Sequence, residues 1–234
     1  MDWLKNISLG AGFVDVWSVD LSFDELDLQG FYQTLSSFER TKLLAFKQKL
    51  LANRYLAVRG VLRRILADYL KVEPGVLQFE VSPFGKPYLK HSPLFFNISH
   101  SGDCLLIAIS DFDQIGIDLE LIKSRANLLG LAKRCFSLSE LNFWLNLPVD
   151  AQQQAFYRLW VRKEAFVKAV GRGIVLGLNQ CELCLPDLNR FVTIPDGFGC
   201  SDDWVIADLQ VADVVAALVV PNRCLVLNQY CFES

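Results

Sequence analysis

Apolar and polar side chains follow two different periods along this chain, and the change from one period to the other predicts its elements. Residues 13–19 alternate between apolar and polar stretches, which indicates a first β-strand. From about residue 37 to residue 70, apolar side chains recur every three or four positions, which indicates a long core helix with a basic side. Short strands are predicted after it at 77–81, 88–89, 94–98 and 104–109.

A turn at residues 111–113 separates two stretches that repeat the same order of elements. Each begins with a strand, continues with helices and ends with several strands, which predicts two halves, 1–112 and 113–234. A capping box of Ser137 and Glu140 is predicted to open a short helix in the second half. The other elements predicted there are a strand at 115–121, helices at 125–135 and from about 150 to Gly173, and strands at 180–185, 204–210, 214–220 and 224–230.

Composition limits the classes of protein that this chain can be. Its 234 residues are 52% hydrophobic, which predicts a well-filled core. A formal charge of -3 lacks the basic excess of general nucleic-acid binding, and the apolar runs are too short for a membrane span. The charge and the short apolar runs thus predict no nucleic-acid or membrane partner. Seven cysteines and a start without the basic-then-apolar order of a secretory signal predict a cytoplasmic protein. Cys181 and Cys184 lack further ligands at zinc spacing, so we interpret them as ordinary thiols.

Three carboxylates on two predicted elements are candidate metal ligands. Asp118 and Glu120 stand two residues apart on a strand, so both point to one face, roughly 7 Å apart, with room left by Gly116. Glu164 lies four residues before Lys168, on the same face of the last long helix. Taken singly, these patterns are also typical of a solvated strand and of a surface ion pair. Together, carboxylates from two elements suit a hydrated Mg²⁺ that shares its ligands with substrate phosphates.

Several basic or polar side chains lie where they could hold an anion. Lys86 stands in a stiff turn between a glycine and a proline, which is predicted to display it to solvent. Arg54 lies within the apolar run of the first long helix, where a guanidinium needs an anionic partner. His100 follows Ser99 at a strand end and resembles part of an anion cradle. A solvated lysine, a structural histidine and a serine hydrolase are the alternatives, although no Gly-x-Ser-x-Gly elbow is present.

Four segments resemble, in the same order, the signature motifs of the 4'-phosphopantetheinyl transferases. The resemblance runs from about residue 38 to Gly173, and the chain length is similar to that of the broad-specificity type that acts as one chain. The short holo-acyl-carrier-protein synthase type, which assembles as a trimer, fits this length poorly. The four segments are FGKPY at 84–88, FNISHSG at 96–102, IGIDLE at 115–120 and WVRKEAFVK at 160–168.

The resemblance implies a fold as well as an activity. The expected class is α/β of the α+β kind, with two similar halves in a pseudo-two-fold arrangement. Each half would pack a long helix on a small antiparallel sheet, and coenzyme A would bind between the halves. Because both halves lie in one chain, the resemblance also implies a monomer.

The motif matches imply a role for each candidate side chain. Asp118, Glu120 and Glu164 would ligate Mg²⁺ on the coenzyme A pyrophosphate. Asp118, Glu164 and Lys168 would be the catalytic residues. The coenzyme A contacts would come from Lys86, Ser99 and Lys168 near the pyrophosphate and from Arg54 and His100 at the 3'-phosphate, with Lys42 and Lys163 in the same pocket.

The implied reaction moves the 4'-phosphopantetheine arm of coenzyme A onto a serine of an apo acyl, peptidyl or polyketide carrier protein. The serine hydroxyl would attack the β-phosphorus and displace 3',5'-adenosine bisphosphate, and either Glu164 or a metal-bound water would take its proton. Two other readings stay open. One is a non-catalytic regulator of the same fold that binds coenzyme A or a carrier, and the other is a Mg²⁺-dependent pyrophosphate hydrolase.

Overall fold

The computed structural model describes residues 12–124, 127–223 and 226–232. Within these ranges, helices and small sheets form two groups. The α-helices are α1 (Glu25–Thr34), α2 (Ser37–Leu44), α3 (Lys49–Leu70), α4 (Leu128–Cys135), α5 (Leu138–Leu145) and α6 (Val149–Ala169). The β-strands are β1 (Phe13–Asp20), β2 (Phe79–Val81), β3 (Pro87–Leu89), β4 (Phe95–Ser101), β5 (Cys104–Ser110), β6 (Gly116–Leu121), β7 (Glu182–Leu183), β8 (Phe191–Thr193), β9 (Trp204–Asp208), β10 (Val214–Pro221) and β11 (Val226–Cys231).

The first group is a four-stranded sheet packed on α3. Its strand order is β11, β1, β5, β4, with β1 antiparallel to β5 and β5 antiparallel to β4. Trp17 of β1 and Ile107 of β5 pack with Leu62 of α3 in one buried cluster. The opposite face of β1, through Val14 and Val16, belongs to a second cluster that includes the strands of the other group. The first sheet is therefore buried on both faces.

The second group is a three-stranded antiparallel sheet packed on α6. Its strand order is β6, β10, β9. Phe166 of α6 packs with Trp204 of β9 in the buried core of this group. The helix and β6 meet most closely at Gly116, where an added Cβ would lie 1.9 Å from the carbonyl oxygen of Ala165 and 2.4 Å from the amide nitrogen of Ala169. Only glycine permits so close an approach of two backbones.

The single helix predicted over 37–70 is in fact two helices, α2 and α3, with a break at residues 45–48. The break lets α2 turn back so that Glu39 forms ion pairs with Arg59 and Arg63 of α3. In a continuous helix Glu39 and Arg59 would be roughly 30 Å apart. Glu39 is buried and also completes the capping box of α2 with Ser36. Its carboxylate is therefore neutralised and hydrogen-bonded by partners within the chain.

The strand β11 follows the second group in sequence but completes the first sheet. It lies parallel to β1, with Trp17 opposite Tyr230. The buried carboxylate of Asp15 accepts hydrogen bonds from the Tyr69 hydroxyl, at 2.5 Å, and from the Asn228 amide, at 2.8 Å. These bonds tie β11 to both β1 and α3.

The predicted fold class is confirmed, because each group packs a long helix on a small sheet, although β11 adds one parallel pair. The division at residue 112 stays a prediction, and β11 crosses it. The predicted starts of a helix at 125 and of a strand at 224 lie outside the described residues. No helix in the described ranges is long and apolar enough to span a membrane.

Candidate active site

The candidate site lies where an edge strand of the first sheet, β4, packs beside an edge strand of the second, β6. Two serines of β4 donate hydrogen bonds to the two carboxylates of β6. The Ser99 hydroxyl lies 2.8 Å from Oδ1 of Asp118, and the Ser101 hydroxyl lies 2.9 Å from Oε2 of Glu120. The first and second groups therefore contact each other at the candidate metal ligands.

Asp118 of β6 is contacted by Ser99 of β4 on one side and by Lys168 of α6 on the other. Only 6% of its surface is exposed. The ammonium of Lys168 lies 2.7 Å from Oδ1 and also donates to the carbonyl oxygen of Ile117 at 3.1 Å. Burial nevertheless raises the pKa of Asp118, outweighing the opposite effects of Lys168 and Ser99. The second oxygen, Oδ2, is buried and has no protein partner.

Glu164 is a second buried carboxylate of the site with a raised pKa. It is 7% exposed, and its Oε1 is buried without a hydrogen-bond partner. Burial raises its pKa to about 7, the negative charge of Asp118 adds to the rise, and Lys168 partly offsets it. Glu164 therefore takes up or releases a proton near neutral pH, where a general base is most effective.

The structure brings four of the predicted residues into one interacting group: Asp118, Glu120, Glu164 and Lys168. The described part of the chain holds no group of three or more acidic, histidine or cysteine side chains arranged so that it could already hold a metal ion. Two buried carboxylate oxygens without partners, from Asp118 and Glu164, are nevertheless what a hard divalent cation satisfies. The donor set therefore fits such a cation, although the side chains do not present a preformed shell.

A cationic region borders the carboxylates. The side chain of His100 is exposed, and its pKa is lowered first by desolvation against neighbouring protein atoms and then by the positive charges of Arg54 and Lys168. The guanidinium of Arg54 reaches Asp103 in the turn between β4 and β5, with 2.6 Å between nitrogen and oxygen. The anionic partner predicted for Arg54 therefore exists within the chain. Because β4 continues to Ser101, His100 lies within a strand rather than in the turn after it.

Lys86 is not displayed to solvent, so that prediction was wrong. Its ammonium donates to the carbonyl oxygens of Asp113 at 3.1 Å, Ile115 at 2.9 Å and Ala169 at 3.3 Å. Burial lowers its pKa to about 8, and the charge of Asp113 only partly opposes this. Lys86 connects the turn between β2 and β3 to the segment before β6 and to the end of α6.

Lys163, predicted to lie in the coenzyme A pocket, lies in the core of the second group. Its side chain is fully buried, and its ammonium lies 2.5 Å from a carboxylate oxygen of Glu140. It also donates to the carbonyl oxygens of Leu178, at 3.0 Å, and Cys181, at 2.5 Å. Neighbouring residues of a helix point about 100° apart, so Lys163 faces the core while Glu164 faces the site. The ammonium of Lys163 thus forms its hydrogen bonds with groups inside the protein core.

Lys42 lies away from the carboxylates, at a separate cavity. The cavity has a volume of about 1170 Å³ and lies between α2, α3 and the hairpin of β2 and β3. The exposed Lys42 lines it together with Tyr55, Arg59 and Gly85. The ammonium of Lys42 lies 5.3 Å from the centre of the Tyr55 ring. A single hairpin thus borders the cavity with Gly85 and reaches the end of α6 with Lys86.

One residue of the site was missed from the sequence. Ser101 contacts Glu120 as Ser99 contacts Asp118, but the predicted strand ended before it. A signal was available, because polar residues occupy every second position at 97, 99 and 101 while Phe96 and Ile98 are apolar. This alternation predicts one polar strand face that continues past His100.

Comparison with known proteins identifies the family. A family profile described as "4'-phosphopantetheinyl transferase superfamily" matches residues 114–219, and one described as "4'-phosphopantetheinyl transferase, N-terminal" matches residues 24–111. The chain is 37% identical over 226 residues to the 4'-phosphopantetheinyl transferase HetI of Nostoc sp. strain PCC 7120, covering 93% of each chain. It is 32% identical over 180 residues to the 4'-phosphopantetheinyl transferase Sfp of Bacillus subtilis strain 168, covering 76% of this chain and 79% of Sfp. These matches span both halves of the molecule, and the chain therefore belongs to the 4'-phosphopantetheinyl transferase superfamily.

Proposed function

We propose that this protein transfers the 4'-phosphopantetheine arm of coenzyme A to a serine of an acyl, peptidyl or polyketide carrier protein in a reaction that requires Mg²⁺. The observation that carries the proposal is the pair of buried carboxylates, Asp118 and Glu164, each with one oxygen that has no protein partner. Family membership supports the transferase reaction. The partnerless oxygens support the metal.

Asp118, Glu120 and Glu164 are the residues that would hold Mg²⁺. Mg²⁺ keeps several waters and shares its shell with substrate phosphates, so it needs few protein ligands and no preformed protein cage. When bound, the ion neutralises charge on the pyrophosphate oxygens and acts as a Lewis acid toward phosphorus. The raised pKa of Glu164 also fits this role, because a nearby cation favours the ionised form of a buried carboxylate.

The substrate phosphates would be held by the cationic border of the site. In the structure Lys168 forms an ion pair with Asp118. Its ammonium would also donate a hydrogen bond to a pyrophosphate oxygen of the substrate. Ser99 holds Asp118 beside it. Arg54 and His100 would receive the 3'-phosphate, which replaces the weak exposed pairing of Arg54 with Asp103. Lys86 is already fixed by three carbonyl oxygens, so its contribution is to hold the hairpin in place beside the substrate.

The cavity bordered by Lys42 would accept the adenosine part of coenzyme A. Its volume of about 1170 Å³ is sufficient for a nucleoside, and aromatic and basic side chains line it. Tyr55 and Phe79 supply apolar surface for a planar base, and Lys42 and Arg59 supply positive charge. Coenzyme A would then run from this cavity past the hairpin to the carboxylates.

The chemistry proposed at the carboxylates is a displacement at the β-phosphorus. The oxygen of the carrier serine forms a bond to that phosphorus, and the bond from the phosphorus to the bridging oxygen breaks. The leaving group is 3',5'-adenosine bisphosphate, and Lys168 offsets the charge that it gains. Glu164 takes the serine proton, because a carboxylate within reach of the serine hydroxyl can act as a general base.

The experiment that tests the function is intact-mass analysis of apo carrier proteins incubated with this protein, coenzyme A and Mg²⁺. The expected result is a gain of one phosphopantetheine arm on the carrier, which disappears when a chelator is added. A gain that survives the chelator would remove the metal from the proposal. A control without carrier separates the alternatives: loss of coenzyme A in that control would indicate a pyrophosphate hydrolase, and binding without transfer would indicate a regulator.

Mg²⁺ binding should weaken as the pH falls through about 7. Ion and proton compete for Glu164, whose pKa is raised to about 7. One such group predicts about a tenfold larger dissociation constant at pH 6 than at pH 8. Isothermal titration calorimetry in the presence of coenzyme A measures it. Glu164→Gln is the control, since it should bind weakly at both pH values, and an equal pH slope in that variant would remove Glu164 from the metal site.

His100→Ala should weaken binding of coenzyme A but not of dephospho-coenzyme A. The reason is that the His100 ring can donate an N–H beside the guanidinium of Arg54 to the anionic 3'-phosphate, which only coenzyme A carries. Losing a charge-assisted hydrogen bond of about 1.5–3 kcal/mol predicts roughly a 10-fold to 100-fold loss of affinity. Equilibrium binding of both ligands to parent and variant measures the difference. If the variant still prefers coenzyme A as strongly as the parent does, His100 does not contact that phosphate.

A further inference from the structure

Beyond the residues that would touch the substrate, β4 carries a row of polar side chains that cross to β6. Asn97, Ser99 and Ser101 stand at every second position, so they share one face of the strand. The opposite face, with Phe96 and Ile98, packs into the core cluster that contains α3. One strand therefore presents a polar face to β6 and an apolar face to the first helix group.

This row takes the place of a backbone ladder between the two sheets. β4 and β6 belong to different sheets, yet side chains of β4 satisfy backbone N–H groups of β6. The Asn97 side-chain oxygen accepts from the Ile117 amide at 2.9 Å, and the Ser101 hydroxyl accepts from the Leu121 amide at 3.2 Å. The contacts fix the register of the two strands at both ends of β6.

We infer that Ser101 is a positioning residue that sets the direction in which Glu120 presents its carboxylate, and that metal binding depends on it. This inference rests on the proposed function. The hydroxyl accepts from the backbone of Leu121 and donates to Oε2 of Glu120 at 2.9 Å. Because the backbone N–H is fixed and engages the oxygen, the single hydroxyl proton is directed at Glu120.

The two serines of the row differ in how far their carboxylate is buried. Asp118, the partner of Ser99, is buried and also bound by Lys168. Glu120 is only half-buried and has one more side-chain torsion than an aspartate. Fixing its carboxylate in the orientation that binds the metal therefore costs more conformational entropy. A hydrogen bond that holds a ligand in its binding orientation typically raises metal affinity 10-fold to 100-fold.

The test compares Mn²⁺ binding, in the presence of coenzyme A and without carrier, by the parent, Ser101→Ala and Ser101→Thr. Electron paramagnetic resonance of free Mn²⁺ gives the dissociation constants without any turnover. We expect Ser101→Ala to bind at least about tenfold more weakly, and Ser101→Thr, which keeps the hydroxyl, to stay within about twofold of the parent.

Ser18→Ala is the matched control, because Ser18 lies on β1, two strands away from β4, and its hydroxyl donates to the Tyr230 carbonyl and the Cys231 sulfur of β11. Its Mn²⁺ affinity should equal that of the parent. Parent-like binding by Ser101→Ala, or an equal loss in Ser18→Ala and Ser101→Ala, would overturn the inference while transfer by the parent stood. If the parent itself neither binds Mn²⁺ nor modifies a carrier, the proposed function fails instead.

Discussion

Glu164→Gln should abolish transfer of the phosphopantetheine arm and, in the absence of metal, make the protein more stable at pH 8. The loss of activity follows from removing a metal ligand and a base together, for which a decrease of roughly 10²-fold to 10⁴-fold is expected. The gain in stability follows from the environment of the side chain. Glu164 is buried beside Asp118, so its negative charge opposes folding.

The sign of the effect follows from proton linkage. The pKa of Glu164 rises from 4.5 in the unfolded chain to about 7 in the folded protein. The folded state therefore binds the proton more tightly, and the stability from this group is fully present below about pH 4.5 and is lost as the pH rises through about 7. The loss amounts to about 2–3 kcal/mol at pH 8, and glutamine, which is neutral at every pH, avoids it.

Thermal denaturation with a chelator at pH 5 and pH 8 measures the effect. For a chain of this length we expect the variant to melt roughly 5–10 °C above the parent at pH 8 and close to the parent at pH 5. Glu73→Gln is the control, because Glu73 is an exposed glutamate in the connection between α3 and β2. If Glu164→Gln is equally or less stable than the parent at pH 8, the ionised carboxylate of Glu164 does not destabilise the folded state.

Gly116→Ala should destabilise the second group and move α6 away from β6. The added Cβ would lie 1.9 Å from the Ala165 carbonyl oxygen and 2.4 Å from the Ala169 amide nitrogen, and both are backbone atoms of α6 that cannot rotate away. The helix must shift off β6, which we expect to lower the free energy of unfolding by about 3–5 kcal/mol. The same shift would move Glu164 and Lys168 away from Asp118, so transfer should be lost even in molecules that stay folded.

The midpoint of urea unfolding measures the change in stability. Gly75→Ala is a matched control, because the nearest atom to its added Cβ is the Thr34 carbonyl oxygen at 4.0 Å. That variant should unfold at the same urea concentration as the parent or slightly above it, because alanine restricts the unfolded chain. If Gly116→Ala does so too, the contact of β6 with α6 is looser than the structure has it.

The strand and helix periods of the sequence were enough to place the main carboxylates. Asp118 and Glu120 could be assigned to one face of a strand, and Glu164 and Lys168 to one face of a helix, because both arguments use only local spacing. Local spacing could not predict that the side chain of Lys163 is buried. Its ammonium is buried because it pairs with residues that are distant in the sequence, such as Glu140.

Contacts between distant segments account for the other differences. The break between α2 and α3 depends on the ion pairs of Glu39, and the placement of Lys86 depends on carbonyl oxygens from two later segments. Local periodicity reports which face of an element is buried, but it does not report the partner. The parallel pairing of β11 with β1 is the clearest example, since both segments read simply as strands.

That pairing has a consequence for the synthesis of the chain. Asp15 of β1 and Asn228 of β11, which share a hydrogen bond, are 213 residues apart. At roughly 5–20 residues per second on the ribosome, β1 waits on the order of 10–40 s before β11 exists. Throughout that time one edge of β1 has no strand beside it, and such an edge can pair with other nascent chains. β1 thus leaves the ribosome before the other described strands and is one of the last to be covered, so the yield of folded protein should depend on how well the cell shields that edge during translation.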